Sequence, residues 1–304
     1  MPDYPVVDVH MHTYPTAAIA IQAMGGSPRA GFTGTIAELA PFMEREGIEK
    51  AVMANFTPVA DMLGAALANL PSDLSPDHRE EQEDKIRRDI IGRVKRRNRW
   101  TCQMAKEHPI RLYAFIGIDP IMDKDTMEEE VRECYREGAR GIKLHPVVQR
   151  FSLDDQRLWP AFETAQELGM TMLIHTGPFE GQSGERARPG LFVEAAQKFP
   201  HLIVMMAHCG GKEYFREAVG MAGEYRNLFF DCCGIVPGQP DRDDLSNDDL
   251  AGLFKVIGTD RIMFGSDWCF RDPLPDIQRI ERLGLSRDEM RHILRENAVT
   301  ILQL

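Results

Sequence analysis

The chain has 304 residues, 43% of them hydrophobic, and a formal net charge of −11. That length holds one large α/β domain or two smaller ones. The acidic balance, with a sequence pI near 5.4, argues against a general nucleic-acid or anionic-membrane role. No apolar run approaches the roughly 20 residues needed to cross a bilayer, and no charged segment leads into an apolar leader core. Six cysteines without a C-x-x-C pair fit reduced thiols, so a cytoplasmic protein is expected.

In chain order, the first apolar run is Val6-Val7-Asp8-Val9-His10-Met11-His12. Period-two alternation in a strand over 6–10 places Asp8, His10 and His12 on one face and Val7, Val9 and Met11 on the other. A helix with a Thr-x-x-Glu start follows over 35–46, then a strand over 50–55. The stretch 57–108 is oversized and contains Pro71-Ser72-Asp73-Leu74-Ser75-Pro76 and a long charged helix. Because it follows a strand's C-terminal end, it is expected to be a helical insertion acting as a lid or an oligomer contact. Strands recur over 111–117, 141–145, 171–175, 202–208, 228–231 and 261–265. Most are apolar on both faces, as parallel strands under helices should be. Helices over 127–137 and 156–168 stop at Gly138 and Gly169. Eight such units predict an α/β fold, a (β/α)8 TIM barrel with an enlarged helical insertion after strand 2, and one domain over 1–304. An open doubly wound sheet is disfavoured because no Gly-x-Gly-x-x-Gly follows the first strand.

Chemistry in such a barrel gathers at the C-terminal strand ends. Five of the nine histidines, His10, His12, His145, His175 and His208, fall there, together with Lys143 and Asp267. Each has a plain structural reading: a hydrogen-bonded core histidine, a turn residue beside Gly210-Gly211, a helix cap at Asp267. Together, several imidazoles and a carboxylate at one end of one barrel suit a divalent ion such as Zn²⁺ with a position left for water.

The order of these groups resembles the amidohydrolase superfamily. The strings Asp8-Val9-His10-Met11-His12, Gly141-Ile142-Lys143-Leu144-His145-Pro146, Ala207-His208-Cys209-Gly210-Gly211 and Phe264-Gly265-Ser266-Asp267-Trp268 are most similar to its amidohydrolase-2 branch, which holds metal-dependent hydrolases and non-oxidative decarboxylases. The resemblance implies that His10, His12, His175 and Asp267 hold one Zn²⁺, with Mn²⁺ as the other candidate. It implies that His208 and Asp267 are catalytic, moving protons beside the metal water. In two-metal members a carboxylated strand-4 lysine bridges the ions. Lys143 is therefore either such a bridge or, like His145, a group that binds a substrate carboxylate. Asp8 either fixes a ligand tautomer or satisfies backbone donors near the strand start.

Tyr14, Phe56, Phe179, Trp268 and Phe270 follow strand ends and are expected to form an aromatic slot. Among Arg150, Arg186, Arg188 and Arg271, one or two are expected to pair with a substrate carboxylate, with Arg150 and Arg271 as the leading pair. The leading expectation is a hydrolase that attacks a small, carboxylated organic substrate with metal-activated water. A metal-dependent decarboxylase of a small aromatic or unsaturated acid is the alternative, and a catalytically silent binding barrel the third. The expected partner is a small molecule, with no nucleic acid and no membrane, in a homodimer.

Overall fold

The computed structural model describes residues 4–236 and 245–304. Eight strands, β1 (Val6–Met11), β2 (Ile48–Ala54), β3 (Leu112–Gly117), β4 (Gly141–Leu144), β5 (Thr171–His175), β6 (Val204–Ala207), β7 (Leu228–Asp231) and β8 (Ile262–Met263), lie side by side in sequence order. Each consecutive pair is parallel. The last strand's continuation returns to β1: the Val9 N–H donates to the Phe264 carbonyl at 2.9 Å, and Met11 bridges to Trp268. The molecule is a (β/α)8 TIM barrel. Among the described residues, no helix is long and apolar enough to cross a membrane.

Alternation along each strand separates two cores. Val7, Val9, Val52, Ala54, Phe115, Leu173, Met205, Ala207 and Met263 pack together inside the barrel. Their neighbours, such as Ala114, Ile116, Met172, Ile174, Val204 and Met206, belong to the layer shared with the helices. In β1 this alternation breaks. Asp8 pairs with Ala51, but Met11 pairs with Met53, so β1 spends three steps where β2 spends two. The extra residue is a bulge. Val7 and Val9 therefore point into the barrel core while Met11 joins the outer layer. Regular alternation does not hold past Val9, and His10 and His12 face the cavity above the core. Asp8 ties the bulge down, its Oδ1 accepting the backbone N–H groups of His10 (3.0 Å) and Ser266 (3.2 Å).

Helix ends follow local side-chain chemistry. Asp123 accepts the Thr126 N–H at 2.8 Å ahead of the helix Lys124–Arg136, and Gly169 closes Trp159–Leu168 in a left-handed conformation that its lack of Cβ permits. The helix expected over 35–46 spans Ile36–Arg45, but Thr35 makes no capping bond. Glu38 instead accepts the N–H groups of Thr33 (2.7 Å) and Gly34 (3.0 Å).

Between β2 and β3 stand two helices, Val59–Ala68 and Pro76–Glu107. The second half of the long helix is a barrel helix. Asn98 donates to the Gly117 carbonyl (2.9 Å) and Glu130 (2.9 Å) and accepts the Gly117 N–H (2.8 Å). The residues that line the strand-end cavity come from outside 57–108.

Candidate metal centre

A cavity of about 260 Å³ opens at the C-terminal strand ends. Its floor is His10, His12, Lys143, His145, His175, His208 and Asp267, its walls are Phe56, Phe179 and Phe270, and Arg29 and Arg271 complete it. A larger apolar groove of about 350 Å³, lined by Phe215, Val219, Leu245 and Leu253 among others, holds no histidine. Two floor residues that follow β6 and β8, His208 and Asp267, both have positive φ, 64° and 66°, a conformation that costs free energy in non-glycine residues and clusters at functional sites.

Hydrogen-bond partners determine which ring nitrogens carry protons. Asp231, at the end of β7, lies 2.9 Å from His10 Nδ1. A carboxylate accepts, so Nδ1 is the protonated nitrogen and Nε2 keeps its lone pair. The Cys233 carbonyl lies 3.0 Å from His208 Nδ1, so that nitrogen also donates and His208 Nε2 is the acceptor. At 2.9 Å from it stands His175 Nδ1, which must then donate, leaving a lone pair on His175 Nε2. That atom is buried and, among the described residues, has no hydrogen-bond partner. His145 differs: its Nδ1 accepts the Val148 N–H at 3.4 Å, so its Nε2 carries the proton. The His145 ring stacks on His175 at 3.9 Å.

Burial favours the neutral form of four of these imidazoles, those of His10, His12, His145 and His175. Burial, reinforced by Lys143, pushes His10 down to about 4. Burial also lowers His12 and takes His145 and His175 well below the usual histidine range. Burial alone would raise Asp267, yet contact with His12 and His10 holds its carboxyl well below the carboxylate range. Lys143 Nζ sits 3.0 Å from His10 Nε2, and burial pushes its amine down to about 8.

This donor set fits a divalent ion. Asp267 Oδ1 is 3.0 Å from His12 Nε2 and 3.6 Å from His10 Nε2. Ligands held at the usual zinc distances around a tetrahedron are about 3.3 Å apart. The unpartnered His175 Nε2 belongs to a residue that lines the same cavity. The Cys233 thiol also lies within 4.8 Å of a His10 nitrogen and an Asp267 oxygen, but burial holds it well above the usual thiol range, in the protonated form.

A family model described as Amidohydrolase matches residues 7–304. The chain belongs to the amidohydrolase-2 family. A 2-amino-3-carboxymuconate-6-semialdehyde decarboxylase of Dictyostelium discoideum is 29% identical to this chain over 237 residues, 67% of this chain and 64% of that protein. This chain thus matches less than two thirds of that relative's length. A solved dihydroxybenzoic acid decarboxylase from a Polaromonas species, with bound manganese and the inhibitor 2-nitroresorcinol, superposes with a TM-score of 0.68 at 17% identity, covering 99% of this chain and 97% of the other. A putative 2-pyrone-4,6-dicarboxylic acid hydrolase from Pseudomonas putida superposes with a TM-score of 0.66 at 18% identity, covering 99% and 98%. At these identities the structural likeness concerns the fold.

The amidohydrolase fold gathers His10, His12, Lys143, His145, His175, His208 and Asp267 in one cavity with Phe56, Phe179, Phe270 and Arg271. It places the other expected lining residues elsewhere. Trp268 is fully buried against Phe32 and Phe42. Tyr14 stacks under the Arg97 guanidinium at 4.9 Å. Arg150 pairs with Asp61 at 2.6 Å, Arg188 pairs with Glu217 at 2.6 Å, and Arg186 donates to the Arg150 carbonyl at 3.1 Å. Asp8 bonds backbone, and the carboxylate that orients His10 is Asp231. Sequence reasoning missed Asp231, although its place as the last residue of a strand was the available signal. It also missed Arg29, from the loop after β1, which carried no signal.

Proposed function

We propose that this chain is a metal-dependent decarboxylase acting on a small aromatic or unsaturated carboxylic acid. The observation that carries the metal reading is the buried, unpartnered lone pair of His175 aimed into the same cavity as His10, His12 and Asp267. His10 Nε2, His12 Nε2, His175 Nε2 and Asp267 Oδ1 would hold one divalent ion, Zn²⁺ or Mn²⁺. Bound there, the ion supplies Lewis-acid binding of substrate oxygens.

Decarboxylation is favoured over hydrolysis by the named activity of the 29%-identical relative and by the aromatic walls, where Phe56, Phe179 and Phe270 form a slot for a flat molecule. The Lys143 ammonium and the His145 Nε2–H orient the carboxylate. The bond between that carboxyl carbon and the ring or alkene carbon breaks, CO₂ departs, and the electron pair stays on the carbon. That carbon takes up a proton from solvent, relayed by His208: its Nε2 exchanges the His175 N–H for a solvent proton and passes it on, while its Nδ1 stays anchored to the Cys233 carbonyl.

The test is to strip the protein with a chelator, reload it with Zn²⁺ or Mn²⁺, and assay hydroxybenzoates and muconate-type acids for CO₂ release, with lactones and amides in parallel. CO₂ release that depends on one ion per chain is expected. Hydrolysis of lactones or amides without CO₂ would overturn the reaction, and two ions per chain would overturn the single-ion site.

A further inference from the structure

His12 stands where the β-ladder runs out. On one side its N–H still reaches the Trp268 carbonyl. On the β2 side the pairing stops at Met11 with Met53. The next residue, Thr13, is fully buried, and side chains hold its polar groups. The Thr13 N–H donates to Asn55 Oδ1 at 3.1 Å, its hydroxyl accepts from Asn55 Nδ2 at 3.0 Å, and its carbonyl accepts from Arg97 Nη2. Arg97 Nη2 also donates to Asn55 Oδ1 at 3.1 Å, and Asn55 Nδ2 to Thr101 Oγ1 at 3.0 Å. The Thr101 hydroxyl donates back to the Arg97 carbonyl at 2.9 Å. Arg97 and Thr101 are one turn apart on the long helix Pro76–Glu107. Asn55 follows β2 and precedes the cavity wall Phe56. One buried cluster thus joins that helix, β2 and the residue after His12.

Packing alone does not account for an arginine here. Both acceptors of Arg97 Nη2, the Thr13 carbonyl and the Asn55 amide oxygen, are uncharged. Its Nη1 is buried and, among the described residues, has no hydrogen-bond partner. Burial pushes the guanidinium down to about 10, and a charge held among neutral partners lowers stability. What a guanidinium supplies is a rigid plane: one nitrogen spans two acceptors while the Tyr14 and Trp100 rings, 4.9 and 4.8 Å from its central carbon, hold it in place. Its charge opposes a cation at His12. Yet it acts on His12 less than burial, Asp267 or Lys143 do, so geometry sets the sign of its effect.

We infer that Arg97 is a positioning residue for the metal centre, fixing through Thr13 and Asn55 where His12 Nε2 and the Phe56 ring stand in the cavity. Those two rings meet edge to face at 5.9 Å, so one cluster sets both. Arg97 touches neither ion nor substrate and moves no proton. Without it the Thr13 carbonyl and Asn55 Oδ1 each lose a donor, and the chain after His12 gains freedom that ion binding must then remove. A small displacement is enough, because the atoms around one ion must meet its distances within about 0.2 Å. The inference rests on His12 being a ligand of the single ion proposed above, and not on which reaction that ion serves.

The experiment measures ion binding on the full chain after a chelator has stripped it. Co²⁺ is the probe, because its visible absorption reports ligand geometry, and competition with Zn²⁺ supplies Kd. Arg97→Gln should raise Kd about 10- to 100-fold, the range for residues that orient metal ligands. It should also alter the spectrum at saturating Co²⁺ while the melting temperature of the ion-free protein barely moves, since a buried charge is lost along with its bonds. Arg97→Lys, which keeps the charge without the plane, should fall between wild type and Gln, and it serves alone if the Gln variant does not fold. Asn55→Ala should weaken binding as well, and the double variant by less than the product of the two factors, because both act through Thr13. Arg99→Gln alters the same helix two residues on, where the side chain pairs with Glu130 and Glu133. It should lower the melting temperature and leave Kd and spectrum at their wild-type values. A wild-type Kd and spectrum in the Arg97 variants overturn the positioning role and leave the single-ion site standing. Affinity that falls only in step with melting temperature, in Arg97 and Arg99 variants alike, overturns it too. A wild-type chain that binds no ion overturns the single-ion site and the inference with it.

Discussion

Asp231→Asn tests the hydrogen-bond logic of the metal centre with almost no change in shape. The fully buried carboxylate meets three donors: His10 Nδ1 at 2.9 Å on Oδ2, and the backbone N–H groups of His208 (2.9 Å) and Cys233 (3.1 Å) on Oδ1. Burial by itself would raise this carboxyl, but His10 and the His208 N–H hold it below its usual value. In the asparagine variant the side-chain carbonyl keeps the two backbone donors, and the NH₂ group then faces His10 Nδ1. That nitrogen must become an acceptor, so its proton moves to Nε2, the atom proposed to face the ion. The opposite amide orientation sets NH₂ against two N–H groups and is worse. Loss of such a partner costs about 10- to 100-fold in metal affinity, or about 1.4–2.8 kcal/mol. Titration of the chelator-stripped protein in Zn²⁺ and Mn²⁺ buffers measures it, with thermal melts confirming that the barrel survives. An Asp231→Asn protein that binds either ion as tightly as wild type would refute the tautomer assignment.

Four further outcomes follow from the same coordinates. Asp267→Asn should abolish turnover with the fold intact by circular dichroism, and retained activity would remove Asp267 from the mechanism. Gly265→Ala builds a Cβ only 2.8 Å from the His10 Cβ. This crowding should cost about 1–3 kcal/mol and more metal content than the melting shift alone would explain; full metal occupancy would show that His10 can retreat freely. Asn98→Ala strands the Gly117 N–H and carbonyl, while Glu130 keeps Arg99, so urea denaturation should show a loss of about 2–4 kcal/mol; a loss near zero would mean that the long helix is not part of the barrel wall. Burial raises Asp119 from 3.8 to about 6. The folded state therefore holds that proton more tightly than the unfolded chain, and Asp119 costs stability increasingly as pH rises through that window, with the full cost above it. The stability difference between pH 4 and pH 7, compared between wild type and Asp119→Asn, isolates this term; identical slopes would refute it.

The barrel was legible because each β/α unit writes its own local pattern. Short apolar runs, most of them apolar on both faces, marked the eight strands, and Gly169 marked a helix end where a residue without Cβ sits easily. Five histidines and Asp267 were legible as a set because parallel strands in a barrel bring their C-terminal ends together whatever their separation in sequence. What failed was any inference that needed exact register or a contact partner. The β1 bulge moved Met11 to the outer layer, and of the two readings of Asp8 the structure keeps the one in which it accepts backbone N–H groups. Trp268, beside a predicted ligand, packs inward on Phe32 and Phe42.

By itself, then, the sequence determined the fold class, the cavity's end of the barrel and the residue types available for metal chemistry, because these depend on short-range periodicity and strand ends. The tertiary structure alone decided which nitrogen of each imidazole is free and which arginines line the cavity. Those properties are set by pairs such as His10 with Asp231, 221 residues apart, and by burial that shifts each group's charge. No pattern within one strand or helix encodes either of them.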